Sequence, residues 1–233
     1  MPSLAQRSAD IELMDDLECS GPLIDVTLRE LDVINQWLGG NAILLKAFKR
    51  LMKNHDHLHV ADLGCGGGDQ LRLLSDLAKK SSKKYSFTGI DANPNIVTYA
   101  KKNTSDHEDI DYLNADIFSE HTSFSNYHLI TATLFYHHFT SEQLIAHLNS
   151  LHQEGIRYVI INDLHRHWLA YHSIKWITRL FSSSKMVKHD APLSVARGFK
   201  KKELEDIINK SSGWHFTIRW KWAFRWLVTL ERT

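Results

Sequence analysis

The chain has 233 residues, of which 43% are hydrophobic and 24% are charged, and its formal net charge is +1. This balance is ordinary for a globular protein with one substantial domain, and it argues against a nucleic-acid partner, which would attract a strongly basic surface. Two cysteines, Cys19 and Cys65, are too few for a disulfide framework or a zinc site, so a reducing, cytoplasmic setting is expected.

The order of the predicted elements changes once along the chain. Two amphipathic helices are predicted between residues 24 and 54, with Gly39 and Gly40 separating them. After them, strands and helices alternate. Strands are predicted within 57–64, 85–93, 110–116, 127–135 and 157–164, and helices within 70–80, 95–103 and 141–153. Ser141 is the predicted N-cap of the last of these helices. An amphipathic helix over 168–181, a helix over 201–211 and a terminal β-hairpin complete the pattern.

This alternation predicts an α/β fold, in which a doubly wound, mostly parallel sheet is covered by helices on both faces. The terminal hairpin would add an antiparallel strand to that sheet. We divide the chain into an N-terminal helical segment, residues 1–55, and a main domain, residues 56–233. A helical insertion at about 166–186 is predicted to cover a site on the main domain. No apolar run is long enough to cross a bilayer, and the first residues lack the apolar centre of a signal peptide.

The segment Val60–Gln70, with the sequence VADLGCGGGDQ, concentrates glycine directly after a predicted strand. A helix that begins after such a loop presents free N–H groups and the positive end of its dipole. Glycine lets a ligand lie against the backbone itself. The pattern favours a ligand cradle, although a tight turn between a strand and a helix would give the same local sequence.

Two carboxylates strengthen the ligand interpretation. Asp91 ends the next predicted strand, where nucleotide-binding folds place an acid that accepts hydrogen bonds from ribose hydroxyls. Asp116 ends the strand after that and is followed by Ile117, which could pack against an adenine ring. Three neighbouring strand ends would then line one edge of the sheet, where doubly wound folds bind ligands.

The motif Asp62-Leu63-Gly64-Cys65-Gly66-Gly67-Gly68 resembles the glycine motif of class I S-adenosylmethionine-dependent methyltransferases. A dinucleotide-binding dehydrogenase would instead favour G-x-G-x-x-G. The resemblance covers roughly residues 58–230 and implies a seven-stranded Rossmann-like sheet whose last strand is antiparallel, together with an N-terminal helical lid. The run TLFYHHF and the segments ELMDD, INDLHRH and RGFKKKEL are similar to methyltransferases of quinone biosynthesis and of polyketide-type aromatic metabolites.

The resemblance also implies which residues bind S-adenosylmethionine. The backbone of the glycine loop would face the methionine part, Asp91 the ribose, and Asp116 with Ile117 the adenine, with Thr133 near the amino acid end. Asn35 and Arg7 are candidates to reach the cofactor from the lid. The full set of predicted cofactor residues is Asp62, Gly64, Cys65, Gly66, Gly68, Asp91, Ala92, Asp116, Ile117, Thr133 and Asn35.

Histidines follow the fourth and fifth predicted strands, at the same edge of the sheet. A histidine titrates near neutral pH and can take the proton of an acceptor hydroxyl. We therefore predict His137, His138 and His165 as catalytic residues of an O-methyltransferase that acts on an aromatic or polyketide-like small molecule. C-methylation of a quinone precursor and a cofactor-binding protein without catalysis remain alternatives.

Other interpretations of these segments carry less weight. No metal is predicted, because no acidic cluster joins the histidines at ligand spacing. The aromatic and basic tail is explained by a hairpin with buried faces rather than by nucleic-acid binding. The segment 168–181 could lie on a membrane surface, but such a stripe is more often core or cover. The protein is expected to be a monomer or a homodimer.

Overall fold

The computed structural model describes residues 4–233. An N-terminal segment, which includes a 3₁₀ turn at Leu13–Asp15, leads into α1 (Pro22–Trp37) and α2 (Gly40–Met52). Strands and helices then alternate as β1 (His57–Leu63), α3 (Asp69–Ala78), β2 (Lys84–Asp91), α4 (Pro94–Asn103), β3 (Ile110–Asn114), β4 (Leu129–Thr133), α5 (Ser141–Gln153) and β5 (Tyr158–Leu164). The chain ends with α6 (Trp168–Phe181), α7 (Lys185–Arg197), α8 (Lys201–Lys210), β6 (Trp214–Lys221) and β7 (Arg225–Arg232). Within the described residues, no helix has the length and apolar character needed to cross a membrane.

The strands form one seven-stranded sheet in the order β3-β2-β1-β4-β5-β7-β6. The first five strands in the chain pair in parallel, whereas β7 runs antiparallel to both β5 and β6. The predicted doubly wound sheet with an antiparallel last strand is therefore confirmed. The strand order reverses at β1, whose neighbours are β2 and β4, and a ligand crevice opens at such a reversal.

The core lies on both faces of this sheet. On one face, α5 and α8 pack against inward residues of β1, β4, β5 and β7. On the other face, α2 and α3 pack against β1 and β2, and Phe48 of α2 is fully buried beside Val60 and Phe87. The predicted division at residue 55 thus assigns α2 to the N-terminal segment, whereas its side chains belong to the core of the sheet.

The N-terminus of α5 corrects one predicted cap. Thr140, rather than Ser141, occupies the N-cap position, since its hydroxyl accepts a hydrogen bond from the Gln143 amide at 3.2 Å. The Gln143 side chain in turn accepts from the Thr140 amide at 2.9 Å, which completes a capping box. Threonine is a good cap because its oxygen satisfies an amide that the helix leaves free.

Thr140→Ala is expected to destabilise the protein by about 1 kcal/mol, because the Gln143 amide loses its acceptor. Ser141→Ala, the matched control, removes a hydroxyl one residue later and should change stability by less than about 0.5 kcal/mol. Urea unfolding of both variants measures the difference through the transition midpoint. A larger loss in the Ser141 variant would restore the cap predicted from the sequence.

The helix α7 is absent from the sequence prediction. It contains an internal proline, Pro192, which the pattern rules treat as a break. Its buried residues include Met186, Val187, Pro192 and Ala196, which point in several directions and do not form one stripe. This lack of one-sided patterning follows from its position, since α7 packs on α6 on one side and lines a cavity on the other.

Candidate active site

A cavity of about 620 Å³ opens at the carboxyl ends of the strands around β1. Its floor is the loop after β1, and its walls include the residues that follow β2, β3 and β4. The N-terminal segment, α1 and α7 close it from above. Of the predicted cofactor residues, the cavity is lined by Asp62, Gly64, Cys65, Gly66, Asp91, Ala92, Asp116, Ile117, Thr133 and Asn35.

The three alternate glycines of the loop have different tasks, although all three have positive φ angles. A Cβ on Gly64 would lie 2.1 Å from the Phe135 ring, so that ring covers Gly64 at the edge of the cavity. A Cβ on Gly66 would meet only Leu28, at 3.7 Å, so Gly66 is the more open of the two. Gly68 does not line the cavity, because it lies against Tyr112, 2.2 Å from where its Cβ would be. The prediction of Gly68 as a cofactor contact is therefore wrong, and its role is in packing.

Asp91 holds the glycine loop from the end of β2. Its carboxylate accepts hydrogen bonds from the Gly66 amide at 3.3 Å and from the Asn93 amide at 3.0 Å. Burial raises its pKa, which the two amides only partly offset. Since two carboxylate oxygens offer about four acceptor positions, acceptor capacity remains for hydroxyl groups of a ligand.

Asp62 lies below the loop and is almost fully buried. Its Oδ1 accepts a hydrogen bond from the Thr131 hydroxyl at 2.6 Å. Burial raises the pKa of Asp62 to about 7, with Thr131 opposing the shift and Asp91 adding to it. Two carboxylates without a cation beside them suit a ligand that brings hydrogen-bond donors or a positive charge.

The remaining cofactor candidates lie around the same cavity. Asp116 is exposed, and its Oδ1 accepts from the Phe118 amide at 3.0 Å, while the adjacent Ile117 is buried. The hydroxyl of Thr133 is buried and has no protein partner. Asn35, on α1, accepts from the Arg225 guanidinium at 2.7 Å. An orphaned hydroxyl and an open glycine next to Asp91 fit a polar ligand that contacts backbone, ribose-like hydroxyls and an apolar ring.

His137 lies in a 3₁₀ turn (Tyr136–His138) after β4 and is almost fully buried at the cavity wall. Its Nδ1 donates to Oδ1 of Asp163 at 2.7 Å, and its backbone amide donates to Oδ2 of the same carboxylate at 3.1 Å. Asp163 therefore fixes the orientation of the ring. The Nε2 of His137 is buried and has no hydrogen-bond partner.

Glu12 faces that free nitrogen from the N-terminal segment. Its Oε1 lies 3.5 Å from Nε2 of His137 and also lacks a hydrogen-bond partner, whereas Oε2 accepts from the Ser194 hydroxyl at 2.8 Å. Burial alone would lower the pKa of His137, but Asp163 and Glu12 outweigh it and raise the pKa to about 9. Burial alone would raise the pKa of Glu12 and of Asp163. Their interactions with His137 outweigh burial and lower both pKa values.

His138 lies beside His137, with 4.3 Å between the ring centroids. Its Nδ1 bonds Oδ1 of Asp15 at 2.5 Å, and Arg197 donates to the other oxygen of Asp15 at 2.7 Å. Burial opposes ionisation of Asp15, but these hydrogen bonds lower its pKa. The two histidines are thus held by separate carboxylates, one from β5 and one from the N-terminal segment.

One ligand atom from each of Glu12, His137 and His138 lies within 4.8 Å of the other two, a spacing that could hold a metal ion. The reason given for predicting no metal is therefore wrong, because an acidic residue does join the histidines. The guanidinium of Arg197, 3.8 Å from Glu12, already supplies positive charge to this cluster. A charged imidazole between Asp163 and Glu12 supplies more, so the cluster is balanced by its own side chains.

His165 lies outside the cavity. Its ring packs against Trp226 and Phe224, with centroids 4.8 and 6.3 Å away, and its amide donates to the Phe224 carbonyl. The structure does not bring it to His137, so its position does not support the predicted catalytic role. The end of β5 contributes Asp163 instead. The predicted cover also differs, since α7 rather than the helix at 168–181 lines the cavity.

Arg7 supports the histidine turn and does not line the cavity. Its guanidinium donates to the carbonyls of His137 and Phe139, each at 2.8 Å, and to the Arg197 carbonyl at 2.8 Å. It also lies 4.3 Å above the ring of Phe199. The predicted contact between Arg7 and the cofactor is therefore replaced by a role in positioning the turn.

Sequence reasoning missed four charged residues of the site: Glu12, Asp15, Asp163 and Arg197. The segments ELMDD and INDLHRH, singled out for their resemblance to methyltransferases, contain three of them. If the sequence analysis had asked which acidic residues could pair with the predicted catalytic histidines, Glu12, Asp15 and Asp163 could have been found. Arg197 is the first residue of a third such segment, RGFKKKEL, and it ends the unpredicted α7.

Comparisons with known proteins agree with this geometry. Residues 60–154 match the model of a methyltransferase domain family. The fold is shared with the plantazolicin methyltransferase solved with S-adenosylhomocysteine, at 16% identity over 91% of this chain and 99% of that one, with a TM-score of 0.64. It is also shared with magnesium protoporphyrin IX methyltransferase from Synechocystis PCC 6803, at 14% identity over 97% and 90%, with a TM-score of 0.53.

Human N-acetylserotonin methyltransferase, solved with S-adenosylmethionine, is similar over 90% of this chain and 55% of its own, at 14% identity and a TM-score of 0.62. A search of curated protein sequences finds no significant match. Residues 60–154 therefore carry a methyltransferase domain, and the chain shares the fold of the methyltransferases named above. These three neighbours contain bound S-adenosylhomocysteine or S-adenosylmethionine.

Proposed function

We propose that the protein transfers the methyl group of S-adenosylmethionine to a hydroxyl of an aromatic or polyketide-like small molecule, with His137 as the general base. The observation that carries this proposal is the buried Nε2 of His137, which has no hydrogen-bond partner and lies 3.5 Å from Oε1 of Glu12, while Asp163 fixes the ring at 2.7 Å. A base must face the cavity with an unpaired nitrogen to take a proton from an acceptor. The names of the structural neighbours, which include plantazolicin and N-acetylserotonin methyltransferases, also favour a small-molecule acceptor.

Different residues along the cavity would bind different parts of the cofactor. Asp91 would accept from the ribose hydroxyls, Ile117 would pack on the adenine beside Asp116, and the Gly66 backbone with Thr133 would hold the methionine part. Bound S-adenosylmethionine supplies a methyl group on a positively charged sulfur. The protein's own task is then to place the acceptor hydroxyl at Nε2 of His137, to receive its proton there and to exclude water.

His138 and Glu12 act beside the base in this proposal. An acceptor hydroxyl that binds between Nε2 of His137 and Glu12 would displace their 3.5 Å contact. Without that contact, the carboxylate raises the pKa of His137 less, so the ring loses its proton more readily. His138, anchored by Asp15, has its second nitrogen left to orient the acceptor.

We propose that the residues before α1, together with α1 itself, form the lid over the cavity. Ile11, Leu17, Leu28 and Leu31 present apolar side chains to the cavity. The 3₁₀ turn at Leu13–Asp15 is fastened to α7, because the Leu13 and Met14 amides donate to Asp190 at 2.9 and 3.0 Å. This arrangement would cover an apolar acceptor and keep water from the methyl group.

The pH dependence of turnover follows from the raised pKa of His137. Only the neutral ring accepts a proton, so kcat/KM is expected to rise about tenfold per pH unit below about pH 9 and to level off above it. The ionisable side chains around the ring are Glu12, Asp163, His138 and Arg197. The free energy of unfolding should change with pH in the opposite direction to kcat/KM. The raised pKa of His137 stabilises the fold fully below about pH 6.5, and this contribution is lost as the pH rises through about 9.

The profile is measured with methyl-labelled S-adenosylmethionine and a panel of phenols, quinols, amines and thiols, with product identified by mass spectrometry. Asp163→Asn should move the midpoint to lower pH, which separates the enzyme's base from ionisation of a phenol acceptor. EDTA should leave the rate of turnover unchanged. A rate that falls with EDTA and recovers when a divalent metal is added would instead favour metal binding at Glu12, His137 and His138. Label on carbon would favour the C-methylation alternative.

A further inference from the structure

The helix α6 exposes much of its apolar surface. It buries Ala170, Ile174 and Thr178, which are four residues apart on one side. The opposite side presents Leu169, Trp176 and Leu180, with Trp176 exposed by 59% and Leu180 by 69%. Because α6 does not line the cavity, covering an acceptor does not account for these residues.

Two other segments that pack against α6 also carry exposed tryptophans. The buried side of α6 packs in one cluster with Leu38, after α1, and with Phe224, in the turn between β6 and β7. Next to these positions, Trp37 is exposed by 83% and Trp222 by 74%. We define the α6 surface as Trp37, Trp168, Leu169, Trp176, Ile177, Leu180, Phe181 and Trp222, all of which are exposed.

The charge carried by the α6 stretch itself has one sign. No Asp or Glu occurs between Leu164 and His189, in a chain whose acidic and basic residues otherwise nearly balance. This stretch carries the exposed cations Lys175, Arg179, Lys185 and Lys188. The acid that faces it from α1, Glu30, is already engaged by the Ser182 and Ser183 hydroxyls.

Exposed apolar side chains next to exposed cations indicate one kind of binding partner. Exposed Trp, Leu and Phe beside Lys and Arg are typical of helices that lie in the interface of an anionic bilayer. Tryptophan prefers the level of the lipid headgroups, where its ring is apolar and its N–H is hydrated. Lysine, in contrast, is depleted from the centres of protein–protein interfaces. We infer that the α6 surface binds the protein peripherally to membranes that contain anionic lipid.

The position of α6 relates this surface to the active site. Helix α7 lies between α6 and the cavity, and α1 lines the cavity with Leu28 and Leu31 while its Val33 and Ile34 face a groove beside α6. The bound membrane would therefore adjoin the cover of the site rather than the sheet. The inference does not depend on which acceptor is methylated, because it rests on the α6 surface and not on the cavity.

The test is co-sedimentation of the full chain with phosphatidylcholine vesicles, with and without phosphatidylglycerol. We expect binding only with phosphatidylglycerol, weakened by salt, together with a blue shift of tryptophan fluorescence. Lys175→Glu combined with Arg179→Glu should lower vesicle affinity about 20-fold or more. The matched control, Lys101→Glu with Lys102→Glu on the exposed side of α4, should leave it unchanged.

A second variant tests the apolar part. Trp176→Ser combined with Leu180→Ser should abolish the fluorescence shift, while Leu113→Ser, which changes an exposed leucine of β3, should not. Unchanged unfolding midpoints would confirm that all variants fold. The inference is overturned if no vesicle binds, or if the control variants lose binding equally. It is also overturned if light scattering shows a dimer that the Trp176 and Leu180 changes dissociate, because the surface would then bind a second copy.

Discussion

His137→Gln is expected to lower kcat by about 10²- to 10⁴-fold while S-adenosylhomocysteine affinity stays within about twofold of the parent. The side chain accepts the proton in our proposal but does not contact the cofactor. Glutamine keeps a donor that can reach Asp163, so the buried carboxylate need not lose its partner. Turnover with labelled cofactor measures the first quantity, and isothermal titration calorimetry measures the second.

His165→Gln is the matched control, because the sequence suggested the same role for His165 and the structure places it outside the cavity. Its kcat should stay within about twofold of the parent. A loss of turnover in this variant alone would reinstate the sequence-based assignment. If His137→Gln lost cofactor binding and turnover in equal measure, His137 would be a structural residue rather than the base.

Asp91→Ala should weaken S-adenosylhomocysteine binding by about 2–3 kcal/mol, or about 30- to 150-fold, because hydrogen bonds to a carboxylate are strong. The carboxylate also holds the Gly66 and Asn93 amides, so part of the loss could come from the loop. A ligand without the ribose 2′-hydroxyl separates the two causes. The parent should bind it more weakly than S-adenosylhomocysteine, and the variant should not distinguish the two ligands.

Asp111→Ala is the control for this measurement, since Asp111 is exposed on β3 and does not line the cavity. Its affinity for both ligands should match that of the parent. If Asp91→Ala still discriminated between the two ligands as the parent does, the ribose would lie elsewhere in the cavity. Calorimetry with both ligands gives all the values that the comparison requires.

The sheet could be predicted because its signals are local. Each strand is a short apolar run, each helix has its own period, and the glycine loop follows β1 directly in the chain. Asp91 and Asp116 could be placed because the carboxyl ends of parallel strands meet at one edge. The differing roles of Gly64, Gly66 and Gly68 could not be predicted from the sequence, because they depend on Phe135 and Tyr112, which come from other strands or loops.

The proposed catalytic cluster brings together residues that are far apart in the chain. Asp15 and His138 are 123 positions apart, and no periodicity links the N-terminal segment to the loop after β4. His165 shows a second limit, because proximity to a strand end does not determine the direction in which a side chain leaves it. The carboxylate two positions earlier, Asp163, points to His137. Helix α7 shows a third, since a helix covered on two sides lacks the one-sided pattern by which helices are recognised.

The contact between Glu12 and His137 links movement of the N-terminal segment to a proton. The contact itself raises the proton affinity of the buried imidazole. By thermodynamic reciprocity, a proton on His137 strengthens the hold of this contact on the segment by the same free energy. The attachment of Glu12 to the histidine turn is therefore coupled to pH, and this contribution is lost as the pH rises through about 9.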